Sequence, residues 1–244
     1  MRRRWLLLVV AVAAMAATAG CTGTGGVSDQ QLAQNATYDW GANAAANATV
    51  YVNATGGHYR AVVNVTGANK STLTFAQRSE LGGTNPIPIS AVQFRYQNGT
   101  VVNASTIQVS QSSGAVTVTL PDERGQFAYT APTGSRSFAV PVVLSKVSYE
   151  VVLPTSMRTD IPIVASVSPG GYERTVSGDR VHLHWSRVTA ETVSVQYYLL
   201  RDVLLFGGLL ALGALIAIGG VVYYRRQIRR LEREREEQGL DVRD

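Results

Sequence analysis

The sequence predicts an all-β fold: an antiparallel β-sandwich ectodomain, built as one or two sandwiches, followed by one C-terminal transmembrane helix. Apolar and polar residues alternate with a period of two through the middle of the chain, as expected for strands with one buried face. An uncharged apolar run covers residues 203–224. Between residues 28 and 200 only residues 28–34 favour a helical turn, and no long amphipathic helix is predicted.

The first 20 residues have the pattern of an export signal peptide: a basic start, an uncharged apolar stretch and small residues at its end. The order Thr18-Ala19-Gly20-Cys21 resembles a lipobox, which predicts that Cys21, the only cysteine, carries a lipid. Cleavage after Ala19 by an ordinary signal peptidase is the alternative. The arginines at the start fit both the general and the twin-arginine export routes. Residues 21–27 form a Gly/Thr spacer.

Residues 28–200 are predicted to form the extracytoplasmic β-domain. Asn98-Gly99 lies between two apolar runs, which is a strong signal for a β-hairpin. A boundary near residues 132–134 would divide the region into two sandwiches, and its absence would leave one. The clearest alternation is in three segments, namely residues 59–66, 115–120 and 192–197.

The apolar run of residues 203–224 is long enough, at about 1.5 Å per residue, to cross a hydrocarbon core of about 30 Å. Arginines follow it directly, so the positive-inside rule places the charged tail, residues 225–244, in the cytoplasm and the β-domain outside. Small residues spaced four apart indicate helix-mediated self-association or a membrane partner protein, and these are Gly207, Ala211, Gly213 and Ala217.

Seven of the nine asparagines stand in Asn-x-Ser/Thr triplets, far more than chance predicts. In an exported protein such triplets are acceptors for N-linked glycans. The alternative is a Thr-rich composition that produces the triplets by bias. All seven lie in the N-terminal half of the chain, at Asn35, Asn47, Asn53, Asn64, Asn69, Asn98 and Asn103.

The net charge of +5 and the pI near 9.5 do not indicate nucleic-acid binding. Three of the positive charges are the arginines of the signal peptide, and the ectodomain itself is close to neutral. No nucleic-acid partner is therefore expected, and the membrane is the expected partner of both chain ends.

His182 and His184 are the only residues whose pattern points to a metal site. They share one face of a predicted strand, with Val181, Leu183 and Trp185 on the other face, and a His-x-His pair can ligate zinc. A third ligand would have to come from His58, Glu173, Asp179 or Glu191. The alternative is that both histidines belong to the polar face of a half-buried strand. No motif for a nucleophile, a phosphate-binding loop or a calcium site is present, so no catalytic residue and no cofactor are predicted.

These observations favour a glycosylated, membrane-anchored lipoprotein that serves as a structural, binding or accessory module of the cell envelope. The alternatives are an extracytoplasmic metal-dependent enzyme that uses His182 and His184, and a subunit of a membrane assembly. Six segments carry a resemblance to a known family, namely residues 36–40 (ATYDW), 91–104 (AVQFRYQNGTVVNA), 125–130 (GQFAYT), 168–174 (SPGGYER), 195–202 (VQYYLLRD) and 229–233 (RRLER). Through these segments the chain resembles, over nearly its whole length, an uncharacterised family of haloarchaeal membrane lipoproteins. The resemblance implies a halophilic archaeal cell surface and no known activity.

Overall fold

The structure is a computed structural model that describes residues 26–79 and 82–237. The predictions for the signal peptide, for the lipobox with Cys21 and for the end of the charged tail fall outside these residues. Within them the chain is all-β with one long C-terminal helix, which confirms the predicted fold class.

The described residues form three helices and seventeen strands. The helices are α1 (Asp29–Leu32), α2 (Ala42–Ala45) and α3 (Leu200–Glu237). The strands are β1 (Val50–Ala54), β2 (His58–Asn64), β3 (Thr72–Arg78), β4 (Thr84–Pro86), β5 (Ser90–Tyr96), β6 (Val101–Asn103), β7 (Gln108–Gln111), β8 (Val116–Thr119), β9 (Gly125–Pro132), β10 (Ser137–Pro141), β11 (Val147–Val152), β12 (Met157–Arg158), β13 (Ser166–Ser168), β14 (Glu173–Ser177), β15 (Arg180–Val188), β16 (Thr192–Gln196) and β17 (Tyr198–Leu199).

One layer of the sandwich is an eight-stranded sheet with the order β14-β15-β11-β1-β2-β9-β5-β6. Its neighbouring strands are antiparallel, except that β1 and β11 run parallel with Val50 opposite Tyr149. Parallel neighbours need a long connection, and strands β2 to β10 supply it here. The second layer consists of a four-stranded sheet, β4-β3-β8-β7, and a three-stranded sheet, β10-β16-β13. Strands β12 and β17 form a separate pair.

A single hydrophobic cluster fills the space between the layers. It takes Phe127 and Tyr129 from the large sheet and Phe75 from the second layer, with 4.8 Å between the ring centroids of Phe75 and Tyr129. Residues 132–134 are the point where the chain passes from β9 in the large sheet to β10 in the second layer. Phe138, beyond that point, belongs to the same cluster, so one sandwich with one core is formed.

The predicted local signals correspond to observed elements. Ser28 caps α1, because its Oγ accepts the N–H of Gln31 while the Gln31 side chain accepts the N–H of Ser28. The Asn98-Gly99 turn joins β5 to β6, and Gly99 has a φ of +87°, which glycine adopts readily.

The outer face of the large sheet is partly covered, which the alternation in β2 did not predict. Val62 points away from the core, yet it is as buried as its inward-facing neighbours. Tyr38 and Trp40, from the segment before α2, pack on Val62 and on Ala128 of β9. The Tyr38 hydroxyl donates to the Ala91 carbonyl over 2.6 Å, which holds this segment on the sheet.

The loops of the large sheet lie at two opposite ends of the sandwich, which are named here the helix end and the distal end. At the helix end, defined here by residues 55–57, 133–136 and 178–179, the Thr133 N–H donates to the Gly57 carbonyl over 3.0 Å. The distal end, defined by residues 65–68, 97–100 and 121–124, is at the opposite ends of the same strands.

Helix α3 starts at Leu200, directly after β17, without an intervening linker. Its N-terminus is tied to the helix end of the sandwich, because the Leu200 N–H donates to the Ser156 carbonyl over 3.4 Å. The stretch Leu200–Leu231 is apolar and long enough to cross a membrane, and none of its most apolar part is buried against the protein. The helix therefore includes the predicted span of residues 203–224 and continues into the charged tail.

Candidate functional site

A cluster of three ionisable side chains lies on the outer face of the large sheet, at His182, His184 and Glu150. Both histidines belong to β15, and the Val181, Leu183 and Trp185 side chains between and beside them are buried in the core, as predicted. Glu150 belongs to the adjacent strand β11, where it stands directly opposite His184 in the register. The strand pairing thus brings the carboxylate to the histidines.

Glu150 binds both imidazoles. Its Oε1 lies 2.9 Å from Nδ1 of His182, and its Oε2 lies 3.0 Å from Nδ1 of His184. An ionised carboxylate can only accept hydrogen bonds, so each imidazole donates its Nδ1–H to Glu150. In a neutral imidazole this leaves Nε2 as an acceptor, and carboxylates orient metal-ligating histidines in this way. Glu150 is 6% exposed, so its charge is compensated by the two hydrogen bonds rather than by water.

None of the predicted third ligands forms a metal-binding group with the two histidines within residues 26–79 and 82–237. Glu191 is paired with Arg78 at 2.8 Å, and Asp179 with Arg158 at 2.8 Å. Glu173 stands opposite His184 on the edge strand β14. Among the described residues no group of three His, Cys, Asp or Glu side chains has the arrangement of a metal site.

Glu150 is the residue that the sequence reasoning missed. It interrupts the apolar strand of residues 147–153, where Tyr149 and Val151 flank it and are fully buried. An acidic residue within such a strand is rarely left without a partner when buried. The acidic residue within the apolar run indicates that Glu150 has a hydrogen-bond partner, but the sequence does not identify the strand that supplies this partner.

A cleft of about 240 Å³ opens beside this cluster, between the sheet and the segment that carries Tyr38. Its lining includes Tyr51, Asn53 and Arg60 from β1 and β2. The Nε of Arg60 is buried and has no hydrogen-bond partner within the described part of the chain. Because this nitrogen is buried, it is not exposed to a ligand in the cleft.

Tyr38 forms one wall of the cleft and is almost fully buried. Its hydroxyl also contacts Oγ1 of Thr130 at 2.9 Å. Burial raises the pKa of Tyr38 to about 12, because the phenolate would lose its hydration, although the hydrogen bond to Thr130 acts in the opposite direction.

The predicted glycan acceptors divide into two groups by exposure. Asn64 and Asn53 are half-buried, whereas five are exposed on the surface, namely Asn35, Asn47, Asn69, Asn98 and Asn103. Several side-chain oxygens accept a backbone N–H two residues further on, for example from Thr100 to Asn98 at 2.9 Å and from Ser105 to Asn103 at 3.3 Å. In Asn64, Asn98 and Asn103, which form such a turn, the side-chain oxygen is bound to the backbone and the amide nitrogen is the other end of the side chain.

Asn53 differs from the other acceptors because a second side chain holds it. Arg180 donates from Nη2 to its Oδ1 over 2.6 Å and from the same nitrogen to the Ala54 carbonyl over 3.0 Å. Asn53 is also two positions before the loop of residues 55–57 at the helix end of the sandwich, whereas Asn64 and Asn98 are at the distal end.

The fold and these features define an all-β domain attached to a helix that could span a membrane. The chain belongs to a family of unknown function, DUF5803, whose model matches residues 44–243. No curated protein matches the chain, and no solved structure does.

Proposed function

We propose that this protein is a membrane-anchored surface module, with its β-sandwich outside the cytoplasm, N-linked glycans on that domain and no catalytic activity. The observation that supports this most directly is the absence of a linker between β17 and α3. The most apolar part of the helix Leu200–Leu231 is not buried against the protein, and a membrane would remove this apolar surface from water. The sandwich is then fixed at the bilayer surface by its helix end.

The orientation rests on the arginines that follow the apolar stretch. Arg225, Arg226, Arg229 and Arg230 form a basic cluster at its C-terminal side, which the positive-inside rule assigns to the cytoplasm. The sandwich, at the other end of α3, is then extracytoplasmic. This agrees with the seven glycan triplets, since glycans are added to the exported side.

The first described residues support a lipid anchor at Cys21. Gly26 lines a cleft together with Pro88, two residues before β5 starts at the helix end of the sheet. Four residues lie between Cys21 and Gly26, and the five residue steps that join the two reach at most about 18 Å when extended. A lipid on Cys21 would therefore enter the same membrane as α3. The resemblance to haloarchaeal lipoproteins supports a halophilic archaeal envelope as the setting.

The glycan acceptors support a surface role through their positions. The exposed acceptors lie on the outer face, at the sheet edge near β6 or at the distal end, so glycans on them would point away from the bilayer. A module of this kind would present its distal end and outer face to the surroundings and bind through them.

The test measures both the membrane topology and the glycan occupancy of the protein in its native host. External protease added to intact cells should digest the sandwich and leave a membrane-embedded fragment that contains α3. Glycopeptide mapping of the intact protein should find sugar on the exposed acceptors. Protection of the sandwich from the protease, with digestion only after lysis, would reverse the proposed orientation.

A second candidate function is a metal-dependent one at His182 and His184. The observation that favours it is the Glu150 carboxylate, which orients both imidazoles with Nδ1 inward and leaves two Nε2 atoms on one strand face. Isothermal titration calorimetry with zinc tests whether the purified protein binds the metal, with the His182→Ala variant as the comparison. Equal heats for the two proteins would remove the candidate.

A further inference from the structure

The turn between β12 and β13 exposes an aliphatic side chain more fully than any other large hydrophobic residue in the described part of the chain. Ile163 is 94% exposed, whereas the side chains of α3 reach 69%. The turn is anchored at its base, because the Ile161 carbonyl accepts the N–H groups of Val164 at 3.1 Å and Ala165 at 3.0 Å. Ala165 is buried, so Ile163 is held at the apex of an ordered turn.

This turn is next to the strand that leads into the membrane helix. It leaves β12 at Arg158, which stands opposite Tyr198, and it enters β13 at Ser166, which stands opposite Gln196. Tyr198 is two residues before α3 starts, a distance of about 7 Å along an extended strand. The headgroup layer on each side of a bilayer is about 5–7 Å thick. The two residues that flank the turn are therefore paired with residues two and four positions before α3, so the base of the turn is close to the point where the chain enters the helix.

The charged residues around this region occur as ion pairs. Arg158 binds Asp179 at 2.8 Å, and Arg136 binds Asp202 at 2.8 Å. Asp160, at the start of the turn, is paired with Arg174 of β14. Each of these charges has a partner of opposite sign. Contact between the turn and a lipid surface therefore does not dehydrate an unpaired charge. An exposed isoleucine beside them gains by moving from water into the acyl boundary.

We propose that residues 161–164 form a second membrane contact, in which Ile163 inserts into the headgroup–acyl boundary beside α3. This inference rests on the proposed function, since it requires α3 to span the bilayer. Even with a lipid at Cys21, which is joined to the domain by a short Gly/Thr spacer, attachment at one end leaves the domain free to tilt about α3. A second contact at the side of the sandwich restricts this motion and holds the outer face with Glu150 in one orientation relative to the membrane.

The experiment measures the depth of single probes in the full chain. Cys21→Ser removes the only cysteine, and Ile163→Cys then places one environment-sensitive fluorophore on the turn. The matched control is Val101→Cys, since Val101 is an exposed aliphatic residue at the start of β6, towards the distal end. Leu212→Cys, in the middle of the apolar stretch of α3, reports the membrane span itself. Each protein is reconstituted into phosphatidylcholine and phosphatidylglycerol vesicles with lipids spin-labelled at a shallow or a deep position.

We expect the fluorescence emission at position 163 to shift to the blue and to be quenched by the shallow spin label. The emission at position 101 should be quenched by neither label. Position 212 should lose its emission with the deep label. If position 212 is quenched and position 163 behaves like position 101, the second contact does not exist and the membrane span stands. If position 212 is not quenched either, the proposed function itself is wrong. Because Ile163 is exposed, its replacement does not threaten the fold.

Discussion

Arg136 donates from Nη2 to Oδ2 of Asp202 over 2.8 Å, and this contact joins the β9–β10 loop to the first turn of α3. Asp202 is also favourably placed beside the positive N-terminal end of the helix dipole. The helix end of the sandwich is thus attached to α3 through a side chain as well as through the continuous backbone at Leu200.

Loss of this contact should change the motion of the domain more than its stability. We expect Asp202→Asn to alter the free energy of unfolding by less than about 1 kcal/mol, because both side chains are partly exposed to water. The distance distribution between a spin label on the sandwich and one on α3, measured by pulsed electron paramagnetic resonance, should broaden. Arg78→Ala breaks a comparable surface pair with Glu191 and serves as the control. An unchanged distribution in Asp202→Asn would show that the backbone alone holds the helix.

Glu150 should contribute measurably to the stability of the sandwich. Glu150→Leu leaves the inward Nδ1–H groups of His182 and His184 without an acceptor, so we expect a loss of about 1–3 kcal/mol in chemical denaturation. Glu150→Gln should cost less, because a neutral imidazole can change tautomer and accept from the amide. Glu191→Gln, at an exposed acidic residue, should stay within about 0.5 kcal/mol of the wild type. A Glu150→Leu protein at least as stable as the wild type would mean that the cluster does not stabilise the fold.

The sandwich should lose stability at alkaline pH. The pKa of Tyr38 is about 12 in the folded state and 10 when unfolded, so the folded state holds this proton more tightly. The resulting contribution is fully present below pH 10 and is lost as the pH rises from 10 to 12, which amounts to about 3 kcal/mol. Burial also raises the pKa values of Tyr59, Tyr129 and Tyr149.

Tyrosinate absorbance and circular dichroism, followed together from pH 9 upward, check this. Ionisation of the buried tyrosines should accompany loss of structure. Tyr38→Phe should weaken the pH dependence between 10 and 12, although it lowers stability at neutral pH through the lost bond to Ala91. Ionisation of every tyrosine near pH 10 with the fold intact would contradict the burial argument.

Glycan occupancy should differ between Asn53 and the exposed acceptors. Arg180 binds the Asn53 side chain at 2.6 Å on a half-buried strand face, so we expect Asn53 to stay largely unmodified. Asn98, on an exposed hairpin turn, should be occupied. Quantitative glycopeptide mapping measures both in one sample. Arg180→Ala releases Asn53 and should raise its occupancy, whereas equal occupancy of Asn53 and Asn98 in the wild type would show that the contact gives no protection.

The β-sandwich should fold without metal and without the membrane helix. Its core draws on residues before α3, and the chain has a single cysteine, so no internal disulfide contributes. Residues 26–199 should therefore unfold cooperatively, with the same midpoint in the presence and absence of a chelator. A midpoint that falls with the chelator, and does not fall in His182→Ala, would instead establish a structural metal at the histidines.

Local signals in the sequence were sufficient to predict several elements of the fold. Alternation along residues 192–197 predicts β16, Asn98-Gly99 predicts the turn of a hairpin, and the length and apolarity of residues 203–224 predict a membrane helix. Each of these depends on side chains that are close together along the chain. The same reasoning placed His182 and His184 on one face and their apolar neighbours on the other, because side-chain direction alternates along a strand.

Which strands are neighbours in a sheet could be read only from the folded chain. Glu150 meets the histidines, more than thirty residues later in the chain, because β11 pairs with β15. Arg180 reaches Asn53 across 127 residues, and the segment around Tyr38 turns the second face of β2 into a buried surface. Strand order follows from the packing of the whole core and from the route of the connections, and a pattern with a period of two contains no information about either.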